Sequence, residues 1–173
     1  KKLVVGETYT LREEFAPYGY LRATDIQFTV EDTENIQSVV MKDEVPTGSI
    51  IINKDGEFVT DKTLIKGHWY DFIFNYFKKS LAGVTFEVYA AEDIYTADFQ
   101  KDDNGNRILE YAAGTLVGTV TTDKDGKAQI ADLPLGTYKV VEKTAPDGFV
   151  LNEEAQTVTF SYKDQDTAVI EQT

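Results

Sequence analysis

The sequence predicts an all-β sandwich, and three observations carry that prediction. Apolar and polar residues alternate with period two in several short segments, Asp-Gly or Asn-Gly pairs stand between such segments, and one stretch is written twice. Ile26-Gln-Phe28-Thr-Val30, Val84-Thr-Phe86-Glu-Val88, Thr137-Tyr-Lys-Val-Val141 and Val158-Thr-Phe160-Ser-Tyr162 put β-branched or aromatic residues at alternate positions. That is how a strand with one face in a core is written. Lys54-Asp55-Gly56, Asp103-Asn104-Gly105 and Lys124-Asp125-Gly126 read as hairpin turns, because each offers a residue pair that tolerates positive φ. Short strands punctuated in this way suggest a sandwich.

The duplicated stretch is Tyr9-Thr-Leu-Arg-Glu13-Glu-Phe-Ala16-Pro17-Tyr-Gly19-Tyr20, which returns as Tyr138-Lys-Val-Val-Glu142-Lys-Thr-Ala145-Pro146-Asp-Gly148-Phe149. Both copies carry a glutamate in an otherwise apolar strand pattern, followed by an Ala-Pro-x-Gly-aromatic turn, so a site is repeated along with the turn. A boundary falls near Glu44-Val-Pro46-Thr-Gly48, where proline and glycine interrupt two strand-rich stretches. Residues 1–44 are expected to be the C-terminal part of a first domain without its opening strands, 45–48 a linker, and 49–173 a second domain. One full and one partial repeat result. Lys1 in place of an initiating methionine also suggests a piece of something longer.

Composition removes several function classes. The chain has 173 residues, 42% of them hydrophobic, and a net charge of -13. Nucleic acid is a poor partner for it, since phosphate binding needs clustered Lys and Arg. No run of eighteen apolar residues exists, so no membrane-spanning helix is expected. With no cysteine and the single histidine His68, neither a disulfide, a thiolate metal site nor a histidine cluster is available. No cofactor is expected. Asp102-Asp-Asn-Gly-Asn106 and Asp123-Lys-Asp125-Gly126 offer oxygen ligands but lack the closing bidentate glutamate of a calcium loop, and turns explain them better.

Leu133-Pro-Leu-Gly136-Thr-Tyr138-Lys-Val-Val-Glu142-Lys-Thr-Ala145-Pro146-Asp-Gly148-Phe149, preceded by Leu81-Ala-Gly83-Val-Thr-Phe86-Glu-Val-Tyr89, resembles the B-type repeat of the collagen adhesin Cna. The same domain recurs in SpaA-like pilins of Gram-positive bacteria. The resemblance implies a transthyretin-like, Ig-like sandwich in an extracellular, cell-wall-attached stalk, pilin or adhesin. It also implies a self-made Lys to Asn or Asp isopeptide bond with a glutamate as catalyst, and no enzymatic activity beyond that crosslinking. Partners would be neighbouring domains of the same polypeptide and a host matrix protein or glycan.

The chemistry of such a bond is simple. A lysine amine attacks a side-chain carbonyl only when neutral, and burial favours that form. Burial also favours a protonated glutamate, which can donate to the carbonyl and pass a proton to the leaving group. The resemblance assigns Lys54, at the end of the apolar run Ser49-Ile-Ile-Ile-Asn, as nucleophile of the second domain and Glu142 as its catalyst. Its acceptor would lie at or after Thr167-Ala-Val-Ile-Glu-Gln-Thr173, where no Asn or Asp is found; Asn152 is a poor substitute. In the first domain Glu13 takes the catalytic place and Asp43, ending Asn35-Ile-Gln-Ser-Val-Val-Met41-Lys-Asp43, the acceptor's, with the lysine upstream. Plainer readings stand beside these: an exposed turn residue for Lys54, a solvent-facing strand residue for Glu142, a strand-terminal Asp for Asp43. As the chain stands, neither bond is expected to form within it.

Residues 62–80 depart from the family pattern. If they form a strand, Tyr70, Phe72, Phe74 and Tyr76 share one face, opposite Trp69, Asp71, Ile73 and Asn75. With Trp69 they make a candidate ligand platform for a sugar or a protein. The plainer expectation is an extra strand whose ring face packs on the sandwich or on the neighbouring domain.

Overall fold

The structure is a computed structural model that describes residues 2–66, 72–96 and 101–173. Strands run in the order β1 (Thr8–Leu11), β2 (Ile26–Thr29), β3 (Thr47–Asn53), β4 (Asp55–Leu64), β5 (Phe72–Ser80), β6 (Thr85–Ala90) and β7 (Ile94–Tyr95). They continue as β8 (Leu109–Tyr111), β9 (Leu116–Thr121), β10 (Lys127–Leu133), β11 (Gly136–Thr144), β12 (Gln156–Phe160) and β13 (Val169–Gln172). No helix occurs among the described residues. The four alternating segments of the sequence became β2, β6, β11 and β12.

Two sheets make the sandwich, one ordered β10-β3-β13 and the other β12-β11-β6-β9. β6 shows why they stack: in Thr-Phe-Glu-Val-Tyr-Ala every second residue is buried, so Phe86, Val88 and Ala90 form one inward face. They meet Ile50 of β3 and Tyr138 and Val140 of β11 in a single cluster. Val88 and Tyr138 have no exposed surface at all. Burying a side chain of that size contributes about 1.5–3 kcal/mol. Gly48 belongs to the same packing: a Cβ there would collide with the ring of Phe160, so β3 and β12 approach at a point where only hydrogen fits.

β3 is the central strand of its sheet, antiparallel to β10 and parallel to β13, with Val169 opposite Thr47 and Gln172 opposite Ile50. It already begins at Thr47, and Pro46 is fully buried, inside the stretch expected to be a linker. The first and last strands of residues 49–173 therefore lie side by side. β11, which carries Glu142, pairs with β12 on one edge and β6 on the other.

Two expected hairpin turns are something else. Asp55 and Gly56 lie within β4, opposite Ser80 and Lys79, because the Lys54 backbone is held on both sides. Its N–H donates to Gly126 O at 2.8 Å and its carbonyl accepts from Leu81 N at 2.9 Å, so the chain runs straight on. Lys124-Asp125-Gly126 turns the chain from β9 in one sheet to β10 in the other, with the Asp123 carboxylate accepting from Asp125 N and Lys127 N. The Asn104-Gly105 turn closes within the β7 to β8 connection, Gly105 N donating to Asp102 O.

Residues 2–44 form the small β1-β2 sheet and long irregular connections. Tyr9 faces Phe28 in register, their ring centroids 6.0 Å apart. No strand is found at 35–43, contrary to the expected closing strand, since no neighbouring strand offers it a ladder there. Leu21 N to Glu44 O closes this region on itself, and Arg22 N to Gln165 O and the Tyr162 hydroxyl donating to Tyr20 O tie it to the rest of the chain.

The aromatic insert is a ribbon of two strands, β4 and β5, that among the described residues pair with each other and with no other strand. Its base is anchored: Phe58 packs on the core and stands edge-on to Phe149 at 4.9 Å. At and beyond the register shift between Val59 and Asp61, β5 carries the exposed Ile73, Phe74 and Tyr76. Phe74 and Tyr76 are 50% and 60% exposed, so their face does not pack on the sandwich as expected.

Candidate functional site

Lys54 and Glu142 meet where the two sheets face each other. The chain places Lys54 directly after β3, while Glu142 sits on the inward face of β11, opposite Phe86 of β6. Lys54 Nζ donates to Glu142 Oε2 at 2.7 Å, across 88 residues of sequence. The lysine side chain keeps 24% of its surface exposed and the glutamate 3%. Glu142 is thus a core residue, not a solvent-facing one, and Lys54 points inward instead of opening a turn.

The second carboxylate oxygen decides what the pair can do. Glu142 Oε1 is buried and has no hydrogen-bond partner, an unusual condition for a charged group inside a protein. A cavity of about 320 Å³ adjoins it, lined by Lys54, Glu142, Asn152, Gln156, Gln172 and Thr173 among others. An amine, a carboxylate with a free oxygen and room for a third side chain are the elements of acyl transfer by proximity. Every lining residue belongs to β3, β6, β11, β12, β13 or the segment just before β12 or after a strand end.

Asn152 is the residue that sequence reasoning set aside and the fold brings to this cavity. It follows the Ala-Pro-Asp-Gly-Phe turn, its side-chain oxygen accepts from Glu154 N, and it is exposed. Nothing in residues 150–155 carries a strand pattern that would have placed it here. The register of β13 on β3 points to the same spot from another side: Gln172 faces Ile50, so a strand continuing in that register brings its fourth further residue opposite Lys54.

The Glu13 copy is built differently. Glu13 lies past the end of β1, half-buried, and its Oε2 accepts from Ala23 N at 2.8 Å. Asp43 is half-buried in irregular chain and forms no side-chain hydrogen bond or ion pair among the described residues. No hydrogen bond joins the two among the described residues. In the ribbon, Phe74 and Tyr76 share an exposed face with Val59, whereas Trp69, Tyr70, His68 and Asp71 lie outside the described residues. Phe72 is the first residue of β5. No cluster of three or more potential metal ligands occurs among the described residues, and the Asp102 carboxylate accepts from Asn104 N and Asn106 N.

Comparison with solved structures finds the Bacillus anthracis TIE protein at 21% identity, covering 96% of this chain and 24% of that one, with a TM-score of 0.49. The SpaB basal pilin from Lactobacillus rhamnosus GG is similar at 19% identity, with 73% and 95% covered and a TM-score of 0.40. GBS52, the minor pilin of Streptococcus agalactiae, follows at 17% identity, with 99% and 60% covered and a TM-score of 0.39. The chain thus spans about a quarter of the first and under two thirds of the third. No curated protein matches it. A family model described as the SpaA prealbumin-like fold domain matches residues 1–45 and 75–173, leaving out the stretch with Lys54 and most of the ribbon. Since that match takes in well over half of its residues, the chain belongs to the SpaA family of prealbumin-like fold domains.

Proposed function

We propose that this chain is a structural segment of a Gram-positive cell-surface pilin or adhesin stalk, and that Lys54 and Glu142 are two of the three groups of an isopeptide crosslink. One observation carries the proposal: a buried glutamate holds the lysine amine with one oxygen and keeps its other oxygen free beside a cavity. Family membership and the pilin titles of the similar structures agree with it. Residues 49–173 would be a second domain that stops short of its acceptor, and residues 1–44 the end of a preceding one. Glu13 and Asp43 would belong to that domain's own centre, completed by a lysine upstream.

The third group is an Asn or Asp carried by the chain beyond Gln172, where the β3 to β13 register leads to Lys54. A proton moves from Lys54 Nζ to Glu142 along their hydrogen bond, leaving a neutral amine. Nζ attacks the acceptor's side-chain carbonyl carbon while Glu142 donates to the carbonyl oxygen, a C–N bond forms, and ammonia or water leaves with the returned proton. No cofactor takes part. The product ties the first and last strands of the domain, so pulling on its ends cannot extend it. For a fibre under shear the rate of forced unfolding is what counts. The equilibrium gain is on the order of 4 kcal/mol at most, by analogy with a disulfide closing a long loop.

Intact mass of a protein extended past Thr173 through its next strand residues tests this. One ammonia or one water should be missing, and Glu142→Ala or Lys54→Arg should restore the full mass. A folded extended protein at full mass would sink the proposal. Loss of mass in the present chain would instead identify Asn152 as the acceptor, to be located by peptide mapping.

A further inference from the structure

The β4-β5 ribbon has no role in the crosslinking site, and its surface is not that of a solvent-facing hairpin. An isolated two-stranded ribbon is marginally stable in water. Here every described side chain of β5 from 73 to 80 is exposed, with Ile73 at 53%, Phe74 at 50%, Tyr76 at 60% and Phe77 at 45%. The two free edges differ. β4 carries the register irregularity at Thr60 and three acidic residues, Asp55, Glu57 and Asp61, devices that discourage edge pairing. β5 has no proline, glycine or acidic residue, and its two lysines, Lys78 and Lys79, stand together at the base.

We propose that the free edge of β5 pairs antiparallel with β5 of a second copy of this chain, around a two-fold axis near Asn75. In that register Phe74 stands opposite Tyr76 of the second copy and Ile73 opposite Phe77, and symmetry makes each pair twice. Aromatic and β-branched cross-strand pairs are the stabilising units of antiparallel sheets. The two-fold also sends the Lys78-Lys79 ends to opposite ends of the new sheet, so like charges do not meet.

Charge selects the second copy as occupant. The two strands hold Asp55, Glu57 and Asp61 against Lys62, Lys78 and Lys79, a balance of zero in a chain of net charge -13. The whole acidic excess lies outside them. Copies approaching through other surfaces bring like charge together, and through the ribbon they do not. A partner peptide drawn to the Lys78-Lys79 pair would sit at the ribbon's base, away from Phe74 and Tyr76.

The absence of cysteine makes the test direct. Asn75→Cys puts a thiol at the two-fold axis, and Glu153→Cys, at an exposed loop position, serves as the control. Under mild oxidation Asn75→Cys should form a disulfide dimer at dilutions where Glu153→Cys stays monomeric. Sedimentation velocity of the cysteine-free chain should show a concentration-dependent dimer, and Tyr76→Glu should raise its midpoint about tenfold through the two lost pairs. Phe74→Lys repeats the test should Tyr76→Glu lose strand signal in circular dichroism. A monomer at every concentration, or equal crosslinking of the two cysteine variants, overturns the proposal.

Discussion

The two copies of the repeated segment fold alike at the turn and part company at the glutamate. Gly19 and Gly148 both take left-handed φ, 93° and 90°, and both turns close with the aromatic N–H donating to the proline carbonyl at 3.1 Å. The strands before them also pair alike, β1 with β2 and β11 with β12. Yet Glu142 is buried against Lys54, and Glu13 is half-buried on a backbone amide ten residues away. Local sequence is enough to write the turn, because glycine and proline set its dihedral angles. Whether a glutamate is buried against a lysine depends on the strands around it, and β11 has a neighbour on each edge plus β3 across the core, while β1 has one neighbour among the described residues.

The largest difference between the copies should appear at their tyrosines. Tyr138 is fully buried, its hydroxyl donates to Pro134 O at 2.6 Å, and burial pushes its phenol well above the usual range. Tyr138→Ala should cost about 3–5 kcal/mol in urea unfolding. Tyr9→Ala, at the matching but half-buried position, should cost about 1 kcal/mol. Comparable losses would mean that the two copies are packed alike after all. Tyr138→Phe isolates the hydroxyl and should cost about 1 kcal/mol.

The glutamates come next. Removing Glu142 strands the amine of a lysine side chain that is three-quarters buried, so Glu142→Ala should lose about 2–3 kcal/mol. Glu13→Ala loses one acceptor from a backbone amide at a partly exposed site, about 1 kcal/mol. The double replacement Lys54→Met with Glu142→Leu removes both charges and should be less damaging than Glu142→Ala alone. A double variant worse than the single would show that the pair itself, not the stranded charge, holds the strands together.

How far these differences could be read from the sequence follows from the range of each signal. β2, β6, β11 and β12 were legible because alternation is a local record of burial. The Lys54 to Glu142 contact was legible only through the family motif, since no local rule joins residues 88 apart. Lys54-Asp55-Gly56 misled for the complementary reason: its local turn signal was overridden by ladder bonds to Gly126 and Leu81, both distant in sequence. The ribbon was seen as aromatic, but alternation of Phe72, Phe74 and Tyr76 cannot say whether a core lies beneath the rings. For Phe74 and Tyr76 none does.

The smallest effects should separate the two regions by the kind of bond that holds their carboxylates. The Arg12 guanidinium, hydrogen-bonded to Asp25, holds that carboxyl below the usual range, in the β1-β2 region. In the sandwich Asp123 is held low by backbone N–H groups of Lys127 and Asp125. The sign is the same for both: a carboxyl lowered in the folded state stabilises it fully above the ordinary carboxylate range. That contribution fades as pH falls from about 5 and is gone below the folded value. Asp25→Asn and Asp123→Asn should therefore each flatten the acid limb of the urea midpoint plotted against pH. Salt distinguishes them, because at about 1 M the screening length is only about 3 Å and an exposed ion pair weakens, whereas a fixed backbone donor does not move away. The Asp25→Asn effect should shrink in high salt and the Asp123→Asn effect persist. Equal persistence would mean that the Arg12 to Asp25 contact acts as a fixed hydrogen bond and not as a screened charge pair.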